Sequence, residues 1–377
     1  MNNLKRFKWI SFSCVLLYCS GCWDQHNMKD VALVTAIAYD QQQSGKVQTT
    51  FFLPRVPNTS NGISKPDTQI VSTLSNTPSE GKAKLDAKIS GLLDPAKNRV
   101  ILIGESFAKK DFPSLLDSFY LDPKNNLRTP VVVIKGHAKQ FMKQIKVKDE
   151  LFSDYIYRIL QSAEATGLIE ESNIQGILSK ASHPKQDFVL PYMEVDAKQA
   201  KTNITGLALF HNNRYTGQRL EKEQAKLYVL LRNQKVKDLQ FTQKIRMPSH
   251  PHYKQYITIQ IKKVNKHMTI LPKQKKIYVN IRCQLHVALL EKNAHTSKLS
   301  KEKIEKELSH LFTKQLRTVL QTLQKEKCDS LGIRRELQVK HPHLFRDTNW
   351  KQQYAKLKFS PTVHVHLLDK GLVQLSG

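Results

Sequence analysis

Apolar residues fall in short unbroken runs through the first half of the chain and in alternating or helical patterns through the second. VALVTAIAYD, 31–40, is one such run and predicts a buried strand. KVQTTFFLPRV, 46–56, predicts its neighbour, with Ser44-Gly45 as the turn between them. Residues 57–79 are rich in Pro, Ser, Thr and Asn and predict a long exposed loop. Leu85, Ile89, Leu92 and Leu93 recur at i, i+4, i+7 and i+8, the spacing of one helix face. RVILIG, 99–104, and TPVVVIKG, 129–136, predict strands, with a helix around 106–119 between them. Further helices are expected at about 148–166 and 171–180. Apolar strands alternating with helices imply helices packed on a mixed sheet.

FVLPYMEVD, 188–196, predicts a strand, and the polar AKQAKTN after it marks a boundary. ITGLALFHNNRYTGQRL then predicts two strands around Asn212-Asn213, since consecutive asparagines accept the positive φ of a tight hairpin. EKEQAKLYVLL comes next as a helix. Residues 238–247, 254–264 and 276–290 alternate apolar and polar, as a meander does. Within 299–326, Ile304, Leu308, Leu311, Leu316, Val319, Leu320 and Leu323 keep a 3.6-residue period, the clearest helix in the chain. Its lysines give it an amphipathic face that packing on a sheet explains better than a membrane surface does. A strand at about 356–368 closes the pattern.

The expected fold class is α+β, multi-domain, with mixed sheets packed by helices behind a leader. The expected divisions are a leader at 1–21, an N-terminal α/β region at 22–198 with room for two subdomains, and a C-terminal α+β domain at 199–377.

Charge changes this picture more than composition does. At 377 residues, 40% apolar, the chain can bury a substantial core. The 60 Lys and Arg against 32 Asp and Glu give a net charge of +28. Such a field draws polyanions: nucleic acid, anionic headgroups, acidic wall polymers or an acidic partner. A solvated lysine-rich surface explains the same number. The aromatic residues are not interleaved with the basic runs, which argues against a single-strand nucleic-acid channel.

The N-terminus narrows the choice. Lys5, Arg6 and Lys8 precede WISFSCVLLYC, an apolar stretch of about eleven residues, too short to span a bilayer and suited to a signal peptide. Ser20 and Gly21 are small, as cleavage requires, and Cys22 comes directly after them. This resembles a bacterial lipobox, in which the cysteine sulfur takes a diacylglyceryl group. The aliphatic residue usual three places before the cysteine is here Cys19. A redox or metal CxxC is the competing reading of Cys19 and Cys22, but Cys19 would leave with the leader. Removing Lys5, Arg6 and Lys8 lowers the charge from +28 to +25. Outside the cytoplasmic membrane, nucleic acid is no longer an expected partner and an anionic membrane surface is. Cys283 and Cys328 then remain, as one disulfide or as two buried thiols.

Candidate chemistry is sparse. No GxSxG, HExxH, GxxxxGK[ST] or GxGxxG string occurs. Glu105, Asp117 and Asp122 are acids near strand ends, with nothing to make any two an acid–base pair. His250/His252 and His341/His343 form HPH repeats. His364 and His366 lie two apart on a strand and so face one side, where both can meet one metal if further ligands are in reach. Solvated or core histidines explain the same pattern. The expectation is no enzyme, no cofactor, no metal and no catalytic residue.

Four stretches carry a family resemblance. GCWDQHNMKDVALVTAIAYD, 21–40, resembles the start of mature Ger(x)C proteins, the lipoprotein C subunits of spore nutrient germinant receptors, with Cys22, Trp23 and Asp24 in place. RVILIGESFAKKDFPSLLDSFYLDPKNNLRTPVVVIKGHAKQF, 99–141, resembles their next block, where Ile103, Gly104 and Glu105 stand for an Ile-Gly-Glu turn. Leu121-Asp122-Pro123 stands where Arg-Asp-Pro is usual. The block at 206–231 matches through Gly206, Phe210, Gly217 and Glu223, and that at 328–350 through Asp329, Gly332, Pro342 and Trp350. The resemblance implies an extracytoplasmic α+β protein without known enzymatic activity. It would be lipidated at Cys22 on the outer face of the spore inner membrane, in complex with polytopic A and B subunits. The matched glycines are expected to turn the chain, and Trp23 and Trp350 to pack. The alternative is an envelope lipoprotein that binds anionic wall polymer or lipid headgroups.

Overall fold

A computed structural model describes residues 31–55, 67–110, 112–145, 147, 150–182, 186–196, 198–232, 239–245, 256–273, 276–291, 300–342 and 350–368. Its centre is an eight-stranded sheet built from β2 (Ala36–Gln41), β3 (Val47–Arg55), β4 (Asp67–Ser75), β6 (Val100–Gly104), β7 (Val131–Ile134), β8 (Phe188–Asp196), β9 (Lys201–His211) and β10 (Arg214–Glu221), in spatial order β10-β9-β8-β7-β6-β2-β3-β4. The inner four, β8-β7-β6-β2, run parallel. They read as unbroken apolar runs because helices cover them on both faces: every residue of β6 and β7 is buried. An antiparallel hairpin closes each side, β2–β3–β4 at one edge and β8–β9–β10 at the other. The turn between β9 and β10 is Asn212-Asn213, with φ of 49° and 63°. Both values are positive, as a two-residue hairpin turn requires.

The α+β class and the mixed sheet are as the sequence implies, and four local expectations are not: among them, the helix expected around 106–119 is broken into the helix Glu105–Ala108, a 3-10 turn at Pro113–Leu116 and the helix Asp117–Leu121. Residues 57–79 are not all loop: β4 pairs along its length with β3, and a helix begins at Pro78. The strand is an outer one, rich in Thr and Ser and only partly buried, so it lacks an apolar signature. The helix expected over Leu85–Leu93 is instead Pro78–Asp86, started by Thr77, whose side chain accepts the N–H of Glu80. Leu92 and Leu93 belong to β5 (Leu92–Asp94), which pairs in parallel with β1 (Val31–Leu33). The apolar run 31–40 is thus two strands, β1 and β2. The 198/199 division lies between β8 and β9, which hydrogen-bond to each other within one sheet.

The second sheet has four strands, β11 (Gln240–Lys244), β12 (Tyr256–Lys273), β13 (Lys276–Glu291) and β14 (Lys358–Leu367), in that order. The first three form the expected meander, and β14 returns parallel to β13. A parallel return needs a crossover. The helix Lys301–Lys325 supplies it, capped by Ser300 and buried along Ile304, Leu308, Phe312, Leu316, Val319, Leu320 and Leu323. One hydrophobic core continues from this helix through the helix Lys222–Leu231 to one face of the large sheet. A second core, with Tyr39, Phe107 and Phe119, fills the other face.

Candidate functional site

Cys22 lies outside the described residues, as do Trp23, His250, His252 and His343. The side chain of Asp117 does too. Glu105 and Asp122 are described, and each holds its own partners. Glu105 opens the helix Glu105–Ala108 at the carboxyl end of β6, the end where open parallel sheets commonly take ligands. Its oxygens are committed: Oε2 accepts the N–H of Gly136 at 3.0 Å, and Oε1 accepts the Tyr192 hydroxyl at 2.9 Å. Arg219 covers the Tyr192 ring at 4.8 Å and donates from Nε to Glu221 at 3.1 Å. Burial, reinforced by the Glu105 hydrogen bond, holds the Tyr192 phenol well above its ordinary range.

On the neighbouring strand Asp40 is fully buried and accepts the N–H groups of Ala138 at 2.8 Å and Lys139 at 3.0 Å. Burial raises its carboxyl above the usual range, against the pull of those two donors. Gly104 is there for space: a Cβ would come within 2.1 Å of Asp40 Oδ1. Gly206 is likewise blocked, 1.9 Å from the carbonyl of Leu220, so these two glycines permit close approach instead of turning the chain. Gly217, with φ of 88°, does turn it. The whole cluster ties strand ends together through backbone donors.

An apolar cavity of about 180 Å³ opens on the face bearing Ile37 and Tyr39, walled also by Val34, Phe51, Leu93 and Phe119. Cavities of this order take one small apolar molecule. Lys82 and Asp122 pair across its rim at 3.1 Å. Burial would raise Asp122, but the N–H of Lys124 and the Lys82 ammonium hold it below its ordinary value. Behind the cavity wall the Tyr39 ring stacks on Phe107 at 5.6 Å.

His364 and His366 do share the exposed side of β14, between buried Val363 and Val365. His366 lies 5.4 Å from His286, and His364 lines a cleft of about 630 Å³ beside Lys266, His267 and Arg282. Cationic neighbours suit an anion better than a metal ion. Among the described residues no three His, Cys, Asp or Glu side chains are placed to hold a metal. Cys283 and Cys328 are two buried free thiols, not a disulfide.

Sequence reasoning missed a buried polar joint between the two sheets. Glu170, 2% exposed, meets Arg232 Nε at 3.2 Å and Lys180 Nζ at 3.5 Å, and Arg232 donates onward to the carbonyl of Ser330 at 3.2 Å. Asp187 binds His211 Nδ1 at 3.0 Å and accepts the N–H of Asp329 at 2.8 Å. Asp329 in turn caps the helix Ile333–Lys340 through the N–H groups of Ile333 and Arg334, both at 2.8 Å. Its carboxyl is pushed up to about 7, chiefly by burial. The one sequence signal was an acid inside an apolar stretch, as in GLIEES at 167–172.

The architecture matches a solved structure over most of the chain, and the sequence matches curated proteins and family models. The family model described as "Spore germination protein N-terminal domain" matches residues 24–195, and "Spore germination B3/ GerAC like, C-terminal" matches 205–371. The chain belongs to the Ger(x)C family. This Ger(x)C chain is 24% identical over 373 residues to spore germination protein GerQC of Bacillus cereus, covering 97% of this chain and 99% of that one. It is 23% identical over 369 residues to spore germination protein KC of Bacillus subtilis (strain 168), covering 89% and 88%. The crystal structure of the GerBC protein superposes with a TM-score of 0.58 at 12% identity, over 88% of this chain and 97% of that one, and so shares the fold. In this Ger(x)C chain the two matched regions meet at the β8–β9 hairpin, inside the large sheet.

Proposed function

We propose that this Ger(x)C protein is a lipid-anchored C subunit of a spore nutrient germinant receptor that acts by binding and assembly, not by catalysis. It works at the outer face of the spore inner membrane, held through an acylated Cys22 and joined to the polytopic A and B subunits. The observation that carries this reading is the ordered pair of family regions, spanning residues 24 to 371 and beginning two residues after Cys22. Among the described residues no helix is long and apolar enough to cross a membrane, and an acyl anchor needs none. The two acyl chains of a diacylglyceryl cysteine hold a protein stably where one chain does not. Confinement raises the effective concentration for membrane partners without any new contact.

The test is Cys22→Ala in spores. The variant is expected to leave the membrane fraction and to lose the germinant response; a normal response from released protein refutes the reading. Mass spectrometry of the membrane-extracted protein should show an N-terminal cysteine at position 22 carrying acyl mass. The charge of +28 favours a second reading, an envelope lipoprotein on anionic polymer. A pull-down that recovers polymer and no polytopic subunit would select it.

A further inference from the structure

Exposed apolar side chains stand on the helix Asp117–Leu121 and on β5, the strand that pairs with β1. Tyr120 and Leu121 are 69% and 79% exposed, while Phe119 before them and Asp122 after them line the apolar cavity. Leu92, 46% exposed, pairs with Val31 across β1 and β5, and Leu93 beside it is another wall of that cavity. Val31 is the ninth residue after Cys22. A fully extended chain of that length reaches about 30 Å, and a globule of this size is on the order of 50 Å across. The leash is therefore too short to let every face reach the bilayer.

Charge around this surface is sorted. Three acids near it are turned to backbone donors: Asp86 to Leu93 at 3.2 Å, Asp94 to Ala96 at 2.8 Å, and Asp122 to Lys124 at 3.0 Å. Lys88, Lys97 and Lys124 face solvent. An aromatic and two leucines with exposed lysines within five residues of them in sequence suit the interface of an anionic leaflet, where apolar side chains enter the headgroup boundary and ammonium groups meet phosphate.

We propose that Leu92, Tyr120 and Leu121, with Lys88, Lys97 and Lys124, form the face that rests on the anionic outer leaflet, so that the anchor fixes orientation as well as position. This rests on the Cys22 lipidation proposed above. It leaves β14, the helix Lys301–Lys325 and the cleft at His364 to meet other partners.

The test uses the full-length lipidated protein on phosphatidylglycerol–phosphatidylcholine vesicles, labelled with an environment-sensitive fluorophore at Leu121→Cys or at Val339→Cys. Val339 is 76% exposed on the helix Ile333–Lys340, so it controls for exposure alone. Doxyl-lipid quenching is expected to be at least about threefold stronger at position 121 than at 339, and to weaken in high salt or on phosphatidylcholine alone. Vesicle flotation with equal or no quenching at the two positions overturns the orientation while leaving the anchor intact. Failure to float at all overturns the anchor reading and the orientation with it. Flotation with quenching only when polytopic receptor subunits are present assigns the face to those subunits and also overturns the proposal.

Discussion

Ser309 Oγ accepts the backbone N–H of Val365 at 2.9 Å. One turn either side, Thr313 Oγ1 takes the N–H of Val363 at 3.0 Å and Glu305 Oε1 takes that of Leu367 at 2.7 Å. Side chains four apart on one helix thereby meet N–H groups two apart on the outer edge of β14. An unpaired strand edge invites pairing with another chain, and here a helix stops it. The double variant Ser309→Ala, Thr313→Val leaves two partly buried N–H groups without partners. A loss of about 2 to 4 kcal/mol, taking 1 to 2 for each group, is expected, read as a lower denaturant midpoint with unchanged slope and greater self-association on sizing columns.

Glu170→Ala removes the anion between Arg232 and Lys180 and leaves a part-buried guanidinium without its carboxylate. Breaking one side of such a pair costs about 3 to 5 kcal/mol. The double variant Glu170→Leu, Arg232→Met should recover part of that, because it removes the closer charge pair and leaves only the Lys180 ammonium, which can turn to solvent. Chemical denaturation of the three proteins checks the order.

Glu164 is pushed up to about 7 by burial, with Glu171 adding to it, from an ordinary 4.5. The folded state therefore holds this proton more tightly than the unfolded chain. Stability falls as pH rises between about 4.5 and about 7 and is flat above that window. Glu164→Gln imitates the protonated form, so it should stabilise the protein at pH 8, by about 1 kcal/mol once solvent screening is allowed for. It should have little effect at pH 4. Melting temperatures at the two pH values decide the matter.

Burial pushes the Cys283 thiol up to about 11 and holds the Cys328 thiol well above its ordinary range. Thiolate is the reactive form, so neither should react with a thiol reagent in the native protein. Both should react after denaturation without any reductant, since they are not joined. A native reaction at either position, or no reaction until reductant is added, would contradict this.

Substitution of Gly104 by Ala drives a methyl group into Asp40. Asp40 is fixed by two backbone donors and cannot move aside. A loss of about 1 to 3 kcal/mol is expected, within the range for overpacked cores, checked by thermal unfolding of the purified protein.

The strands and helices that could be read from the sequence are those whose burial keeps to one period. β8 runs from Phe188 to Asp196 where its apolar run stands, and the helix Lys301–Lys325 tracks its leucines. β4 was illegible because a half-covered outer strand of Thr, Gln and Ser carries the composition of a loop. The false helix at 85–93 came from a coincidence of spacing: Leu85 ends one element and Leu93 belongs to another. The polar joint was hidden for a different reason. Glu170 and Arg232 are 62 residues apart, and Asp187 and Asp329 142 apart, so no local pattern pairs them. Gly104 and Glu105 could be picked out from the sequence as a motif, but their purpose depends on Asp40 and Tyr192, which only the folded chain brings near.

Most of β9 and all of β10 fall by sequence in the second matched region and by pairing in the first sheet. A gene cut at codon 198 would yield one fragment with β8 stripped of its outer neighbour and another trailing an orphan ribbon. The two halves are sewn across their seam. Any exchange of halves between paralogues, in the laboratory or by recombination, has to carry residues 201–221 along with the leading half.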